Sequence, residues 1–132
     1  MSVGLEQKIT RLLTEVNADA GYPLSLVCTD QGLLVASSGD HFSSEQLAGL
    51  TSLFDDIVMR ARRDLDSGWV DEVTLLDPER GRLVVRPVPL DGSPRFFLVL
   101  QIPRRATWRR NTNRLTRKLA GWLSTRVEGV QE

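Results

Sequence analysis

The segment from Arg95 to Ile102 constrains the fold of this 132-residue chain more than any other. Successive side chains of a strand point to opposite faces, and here both sets are apolar. One set is Phe96, Leu98, Leu100 and Ile102, and the other is Phe97 and Val99. A strand that is apolar on both faces is covered on both faces. We therefore expect a central strand in a sheet with helices on both sides.

Three stretches with a 3.6-residue apolar period predict helices over about residues 3–17, 44–65 and 106–127. Ser43 and Gln46 match a capping box, so the second helix is expected to start there. The core-facing residues expected on the second helix are Leu47, Leu50, Phe54, Ile57, Val58, Ala61 and Leu65.

Short apolar runs around turn residues predict the remaining strands, at about 24–28, 33–36, 69–76 and 82–88. The order is αββαβββα. It predicts an α/β protein of the α+β type, one domain over residues 1–132, with a five-stranded, mostly antiparallel sheet. Pro87 and Pro89 cannot donate ladder hydrogen bonds, so the fourth strand either ends near Arg86 or is bulged there.

Composition removes most enzyme classes. Cys28 is the only cysteine and His41 the only histidine, which excludes disulfides within the chain, multi-cysteine metal sites and histidine pairs. Asp55 and Asp56 lie about 100° apart on the predicted helix and are interpreted as a solvated face. No glycine pattern for phosphate binding is present. We predict no enzymatic activity, no cofactor and no metal.

No apolar run approaches the roughly 20 residues of a membrane span. The start of the chain also lacks the basic and then apolar layout of a signal peptide. A cytoplasmic protein with no transmembrane segment is expected.

The element order, together with the segment from Ala20 to Ser38, resembles the roadblock/dynein light chain family. That segment reads AGYPLSLVCTDQGLLVASS, and the family's first hairpin has the same apolar strand, Asp-x-Gly turn and apolar strand ending in Ala-Ser. The profilin and longin folds share much of this layout. The resemblance implies a homodimer or heterodimer that acts as an adaptor, or as a regulator of Ras-like small GTPases in cell polarity or signalling, by activating or scaffolding them.

In that family the third strand pairs with its copy and the second helices pack side by side. The residues that the resemblance assigns to a homodimer interface are Gly49, Leu53, Asp56, Arg60, Val73, Thr74, Leu75 and Leu76. Val73 to Leu76 carry no charge, so Asp71 and Glu72 near one end are expected to be the local protection of this edge. The alternative is a free edge, with Leu53 only widening the core. Candidates for GTPase binding are Asp56, Arg60 and Arg63.

The zero net charge conceals two regions of opposite sign. Residues 1–103 hold 9 basic and 15 acidic side chains, whereas residues 104–126 hold 8 basic and none acidic. One face of the last predicted helix carries what we call the basic stripe, Arg110, Arg114, Arg117 and Lys118. Its partner is either Glu6, Glu15 and Asp19 of the first helix, an acidic protein surface, anionic lipid or nucleic acid. Nucleic acid is disfavoured because no exposed aromatic residues interleave with the stripe.

Two other functions remain open beside the GTPase regulator. One is a small-ligand sensor domain of related fold, which needs a pocket with convergent polar groups. The other is a membrane or nucleic-acid tethering module that acts through the basic stripe.

Overall fold

The computed structural model describes residues 2–66 and 68–131, without the side chains of residues 2–3, 41–42 and 125–131. The elements are α1 Ser2–Ala20, β1 Leu24–Thr29, β2 Leu34–Ser38, α2 His41–Asp64, β3 Val73–Asp77, β4 Gly81–Pro87, β5 Phe96–Ile102 and α3 Arg109–Gln131. The sheet has the order β2-β1-β5-β4-β3, and every neighbouring pair is antiparallel. The predicted order αββαβββα and the central position of β5 are confirmed.

The two faces of β5 separate two apolar clusters. Leu98, Leu100 and Ile102 are fully buried in the cluster formed with α1 and α3. Phe97 and Val99 face the other way and pack in the cluster that contains Phe54 of α2. Each fully buried side chain of this size contributes about 1.5–3 kcal/mol. Because both clusters depend on β5, this strand holds the three layers together.

The start of α2 differs from the prediction. The helix begins at His41, and the residue before it, Asp40, occupies the N-cap position. The Asp40 carbonyl accepts a hydrogen bond from the Ser44 N–H at 3.0 Å, and its carboxylate accepts one from the Ser43 hydroxyl at 2.7 Å. Aspartate is as good an N-cap as serine, so the earlier residue caps the helix and the predicted Ser43 capping box is wrong. The side chain of His41 lies outside the described residues.

The predicted core face of α2 is also partly wrong. Leu50, Ile57 and Leu65 are 48%, 51% and 76% exposed. The side that packs on the sheet is formed by Ala48, Thr51, Phe54 and Val58. Periodicity sums all apolar residues of a helix without regard to what covers them. It therefore merged two neighbouring faces of α2, of which only one has a partner within the chain.

Pro87 is accommodated at the end of β4. The Val88 N–H donates to the Phe96 carbonyl at 2.9 Å, so the backbone N–H and C=O of residue 88 point toward β5. The backbone groups of residue 87 therefore point away from β5. On that other side β3 pairs only as far as Val85, which is opposite Val73. The missing N–H of Pro87 therefore breaks no ladder hydrogen bond. Of the two predicted alternatives, the strand that ends here is the one observed.

Over the residues that the structure describes, none of the three helices combines the length and the apolar content that a membrane span requires.

Gly81 closes the turn between β3 and β4 with a φ of 99°. A Cβ at this position would overlap the carbonyl oxygen of Ile102. Gly92 has a similar φ of 103°, but no atom lies within 4 Å of its Cβ position. The two glycines therefore share a backbone constraint and differ in the space around them.

We expect Gly81→Ala to lower the free energy of unfolding by about 3 kcal/mol, because it adds a backbone shift in the sheet to the cost of a left-handed conformation. Gly92→Ala is the matched control and is expected to cost only about 1 kcal/mol. Urea unfolding of both variants measures the difference. Equal losses would contradict the overlap with β5.

Candidate protein interaction surface

The α2 side of the sheet is covered over only part of its width. Helix α2 lies mainly over β1 and β2, whereas the opposite face is shared by α1 and α3. On the α2 side, β3 and β4 contribute Val73, Leu75 and Leu83. Leu75 is 50% exposed, and the other two are only partly buried. The end of the sheet at β3 therefore has an apolar surface that no element formed by the described residues covers.

An exposed apolar side of α2 adjoins this surface. Leu50, Leu53 and Ile57 lie within about 60° of arc on the helix, and Leu53 is 62% exposed. A cleft of about 320 Å³ separates α2 from the β3–β4 hairpin, with Gln46 and Leu47 on the helix side. These two residues project in the same general direction as Leu50. The exposed leucines therefore continue the helix wall of the cleft.

The strand β3 is the open edge of the sheet. The even-numbered residues of β4 direct their backbone N–H and C=O groups toward β5, so the odd-numbered ones direct theirs toward β3. Val85 and Leu83 therefore form the backbone hydrogen bonds to Val73 and Leu75. Between them, Thr74 and Leu76 direct their N–H and C=O groups away from the sheet. Leu76 is 55% exposed. The edge thus offers backbone groups for a further strand, flanked by exposed leucines.

The predicted protection of this edge by Asp71 and Glu72 is wrong, because both carboxylates turn inward. Asp71 pairs with Arg86 at 2.7 Å and with Arg109 at 3.0 Å. Glu72 accepts hydrogen bonds from the Trp108 indole at 2.9 Å and from Arg109 at 3.3 Å. Residues 69–72 were predicted to belong to the strand. They instead form a segment before β3, which the contacts of Asp71 and Glu72 with Arg109 connect to α3.

Arg86 is the residue of this surface that sequence reasoning missed. It is only 5% exposed, and it donates to Asp71, to the Thr112 hydroxyl at 2.8 Å and to the Asn113 amide oxygen at 2.5 Å. The signal was an arginine that directly follows the apolar residues Leu83, Val84 and Val85, since a buried cation must be paired. This cluster positions the beginning of β3 against α3.

The carboxyl of Asp71 has a lowered pKa. Its partial burial alone would raise the pKa, but the hydrogen bonds and positive charges of Arg86 and Arg109 outweigh that effect. The charged form is therefore the one that the fold stabilises.

Asp55 does not lie on a solvated face, contrary to the prediction. It forms a bidentate pair with Arg95, with distances of 3.0 Å and 2.6 Å, next to Asp30 of the β1–β2 turn at 3.5 Å. The hydrogen bond to Asp55 is the largest cause of the raised pKa of Arg95. This pair fixes α2 to the start of β5. Asp56 instead points outward and pairs with Arg60 at 3.1 Å, where both side chains are more than 60% exposed.

The remaining predicted residues of α2, Gly49 and Arg63, are exposed as well. Arg63 pairs only with its neighbour Asp64, at 2.8 Å. The structure therefore brings Leu53 close to exposed charges on one side of α2 and leaves those charges in contact with solvent.

The basic stripe lies on the outer side of α3. Its four members are exposed, and among the described residues no carboxylate lies within 4.0 Å of any of them. The predicted intramolecular partners Glu6, Glu15 and Asp19 are exposed on α1 and make no ion pair with the stripe in the part of the chain described. Arg109 is the exception on α3, because Asp71 and Glu72 hold it.

The described residues contain no group of three or more histidine, cysteine, aspartate or glutamate side chains placed to hold a metal ion. Burial raises the pKa of the Cys28 thiol to about 11, although a hydrogen bond with Thr51 partly offsets this. The thiol is therefore protonated near neutral pH and is a poor nucleophile.

Comparison with known proteins finds likeness in structure alone. No protein-family model and no curated protein sequence matches the chain. Among solved structures, Myxococcus xanthus MglB is 18% identical with a TM-score of 0.77, covering 90% of both chains. An MglB in a tetrameric arrangement is 17% identical with a TM-score of 0.74, covering 89% of both. A roadblock/LC7 domain from Streptomyces avermitilis is 18% identical with a TM-score of 0.66, covering 93% of this chain and 98% of that one. The chain has the roadblock/LC7 fold.

The Asp71 cluster predicts how stability depends on pH. A lowered pKa in the folded state means that the contribution is present above the ordinary value of 3.8 and is lost as the pH falls through the folded-state value. Asp71→Asn is expected to lower the free energy of unfolding at pH 7 by about 1–2 kcal/mol, discounted because the carboxylate is partly exposed. Its urea midpoint should also fall less steeply below about pH 4 than that of the parent.

Asp19→Asn is the control, because Asp19 is exposed and has no ion pair among the described residues. It is expected to leave both the stability at pH 7 and the acid slope unchanged. An acid slope in Asp71→Asn as steep as in the parent protein would contradict the role of this cluster.

Proposed function

We propose that the protein is a homodimeric regulator without enzymatic activity of its own, which binds a Ras-like small GTPase. The carrying observation is the apolar surface left open at β3 and α2 in a chain whose backbone follows MglB over 90% of its length. The roadblock/dynein light chain resemblance implies the GTPase partner. The open surface supports the dimer that the same resemblance implies.

The edge of β3 supports the strand part of the dimer. Thr74 and Leu76 direct their backbone groups outward, so a second β3 aligned antiparallel across a two-fold axis extends the sheet. Each hydrogen bond formed contributes about 0.5–1.5 kcal/mol net. The pairing also removes two open edges, because the edge of each copy covers that of the other.

The exposed side of α2 supports the helix part. In a continuous sheet the two α2 helices lie on the same face, on either side of the joined β3 strands. Leu50, Leu53 and Ile57 of the two copies then cover the apolar sheet surface that each copy alone leaves exposed. Burial of the exposed part of each of these side chains contributes about 1 kcal/mol.

The charges beside Leu53 support the GTPase-binding part. Asp56, Arg60 and Arg63 are at least 62% exposed, and their ion pairs are between neighbours on the same helix. Exposed pairs of this kind contribute little to stability, so they exchange readily for pairs with a partner. We infer that these residues recognise the GTPase. If the dimer stimulates hydrolysis rather than scaffolding the GTPase, it acts by reshaping the partner's own active site, since nothing in the described residues marks one arginine as a finger.

The dimer predicts that Thr74→Pro is monomeric in light scattering. Proline at this position removes an N–H that points to the open edge and leaves the bonds between β3 and β4 intact. Ser37→Pro is the matched control, because residue 37 points outward from β2 at the opposite edge of the sheet. It is expected to keep the dimer mass. A dimer that survives Thr74→Pro, or is lost in both variants, would contradict pairing through β3.

A second pair of variants addresses α2 within the same prediction. Leu53→Glu is expected to weaken the dimer at least tenfold, because it places charges in the joined apolar surface. Leu33→Glu is its control, since Leu33 is also 62% exposed but lies in the β1–β2 hairpin. If both variants keep the dimer dissociation constant of the parent, the helix part of the interface is wrong.

For GTPase binding, we expect the protein to co-elute with the small GTPase encoded nearest to it in at least one of the GDP-bound and GTP-bound states. Arg63→Glu is expected to reduce the affinity at least tenfold while the dimer mass stays unchanged. Arg11→Glu, on the opposite side of the sheet, is the control. The protein alone is expected to hydrolyse no GTP above buffer. No association in either state, or an equal loss in the control, would reject the assignment.

A further inference from the structure

The basic stripe on α3 is a charged surface that the proposed function does not use. Arg110, Arg114, Arg117 and Lys118 lie within about 100° of arc and span about 12 Å along the helix. Leu115, Leu119 and Leu123 are buried on the side that faces the core. The core contacts of α3 therefore hold the four cations on the outside of the molecule.

The stripe opposes the helix that carries it. Arg110 and Arg114, and Arg114 and Lys118, are like charges four residues apart, which destabilise a helix. Arg110 also lies in the first turn, where the helix dipole disfavours a cation and where α3 has no acidic residue. Among the described residues no carboxylate offsets these charges. The repulsion between the four cations destabilises α3, and their side chains are exposed at the surface. The basic stripe is therefore suited to bind an anion from outside the chain.

We propose that the basic stripe binds the anionic surface of a lipid membrane. Clusters of four or more exposed lysines and arginines on one helix face are typical of binding to anionic lipid headgroups. No exposed apolar side chain lies within the stripe, so the contact is electrostatic and the helix stays outside the hydrocarbon region.

Trp108, directly before α3, and Trp122 within it favour lipid over nucleic acid. Binding of single-stranded nucleic acid commonly uses aromatic rings on which bases stack. Trp108 and Trp122 are only partly exposed, and cations of other elements cover their rings. Arg82 lies 5.0 Å from the Trp108 ring centre, and Lys8 lies 4.4 Å from that of Trp122. The ring face beneath each cation is therefore not available for stacking by a base.

The layering of the fold favours a flat partner. Helix α3 contacts β4, beside the open edge, on the face of the sheet opposite to α2. In the dimer, and this step alone rests on the proposed function, both stripes then lie on one face of the continuous sheet near the two-fold axis. A membrane contacts both stripes at once, while α2 and its charges point away from it.

The test is co-sedimentation of the full chain with vesicles of phosphatidylcholine alone or mixed with phosphatidylserine, at two salt concentrations and without a GTPase. We expect binding only to the vesicles with phosphatidylserine, weakened by salt. Arg114→Gln/Arg117→Gln is expected to lose affinity roughly 25-fold, since each cation contributes several-fold. Its stability should be unchanged or slightly raised, because repulsion along α3 decreases.

Arg62→Gln/Arg80→Gln is the control with the same change in net charge, at exposed positions on α2 and the β3–β4 turn. It is expected to bind within twofold of the parent. No binding to phosphatidylserine vesicles, equal losses in the two double variants, or tighter binding to a DNA duplex than to vesicles at the same salt would overturn the proposal.

Thr74→Pro separates this proposal from the dimer. It is expected to bind more weakly than the parent and to remain sensitive to Arg114→Gln/Arg117→Gln, because each copy has its own stripe. Equal affinity of the parent and Thr74→Pro would overturn the two-stripe step. Light scattering of the parent then distinguishes two causes. If the parent is a dimer, its second stripe does not contact the membrane; if it is a monomer, the proposed dimer is also wrong.

Discussion

The rest of the structure depends on one constraint, which is that both faces of β5 are apolar and have to be covered. The described residues form three helices for the two faces of one sheet, so the two faces are covered unequally. Helices α1 and α3 together cover one side, and α2 alone covers part of the other. The apolar surface at β3 is the direct result of this inequality. An interaction surface thus arises from the number of helices, without a dedicated loop or insertion.

Sequence patterns predicted the elements of this fold well because their causes are local. The apolar run of β5, the proline at the end of β4 and the 3.6-residue apolar period of each helix are local patterns, and the structure confirms the element order that they predicted. The start of α2 was misplaced because Asp40 and Ser43 are both good caps, and the choice between them is made by the hydrogen bonds around Asp40.

The surface was harder to predict because exposure depends on what lies opposite. Leu50 and Phe54 are both apolar and lie about 40° apart on α2, but only Phe54 has the sheet beneath it. Asp71 and Glu72 appeared to be edge charges because their partners, Arg86 and Arg109, are 15 to 38 residues away in sequence. The assignments of a homodimer and of a GTPase partner stay predictions, since they concern relations that one copy of the chain does not contain. The assignment of one domain over residues 1–132 stays a prediction as well.

The inward turn of Asp71 and Glu72 has a consequence for partner choice. Backbone hydrogen bonds at the edge of β3 are the same for any strand, so an edge whose residues 73–76 carry no charge accepts a foreign strand as readily as its own copy. Discrimination among related chains then rests on side chains away from the edge, above all the shape of the leucine side of α2. In the proposed dimer, a cell that holds several proteins of this fold sorts its pairs by that helix, and the leucines there are the side chains that distinguish one chain from another.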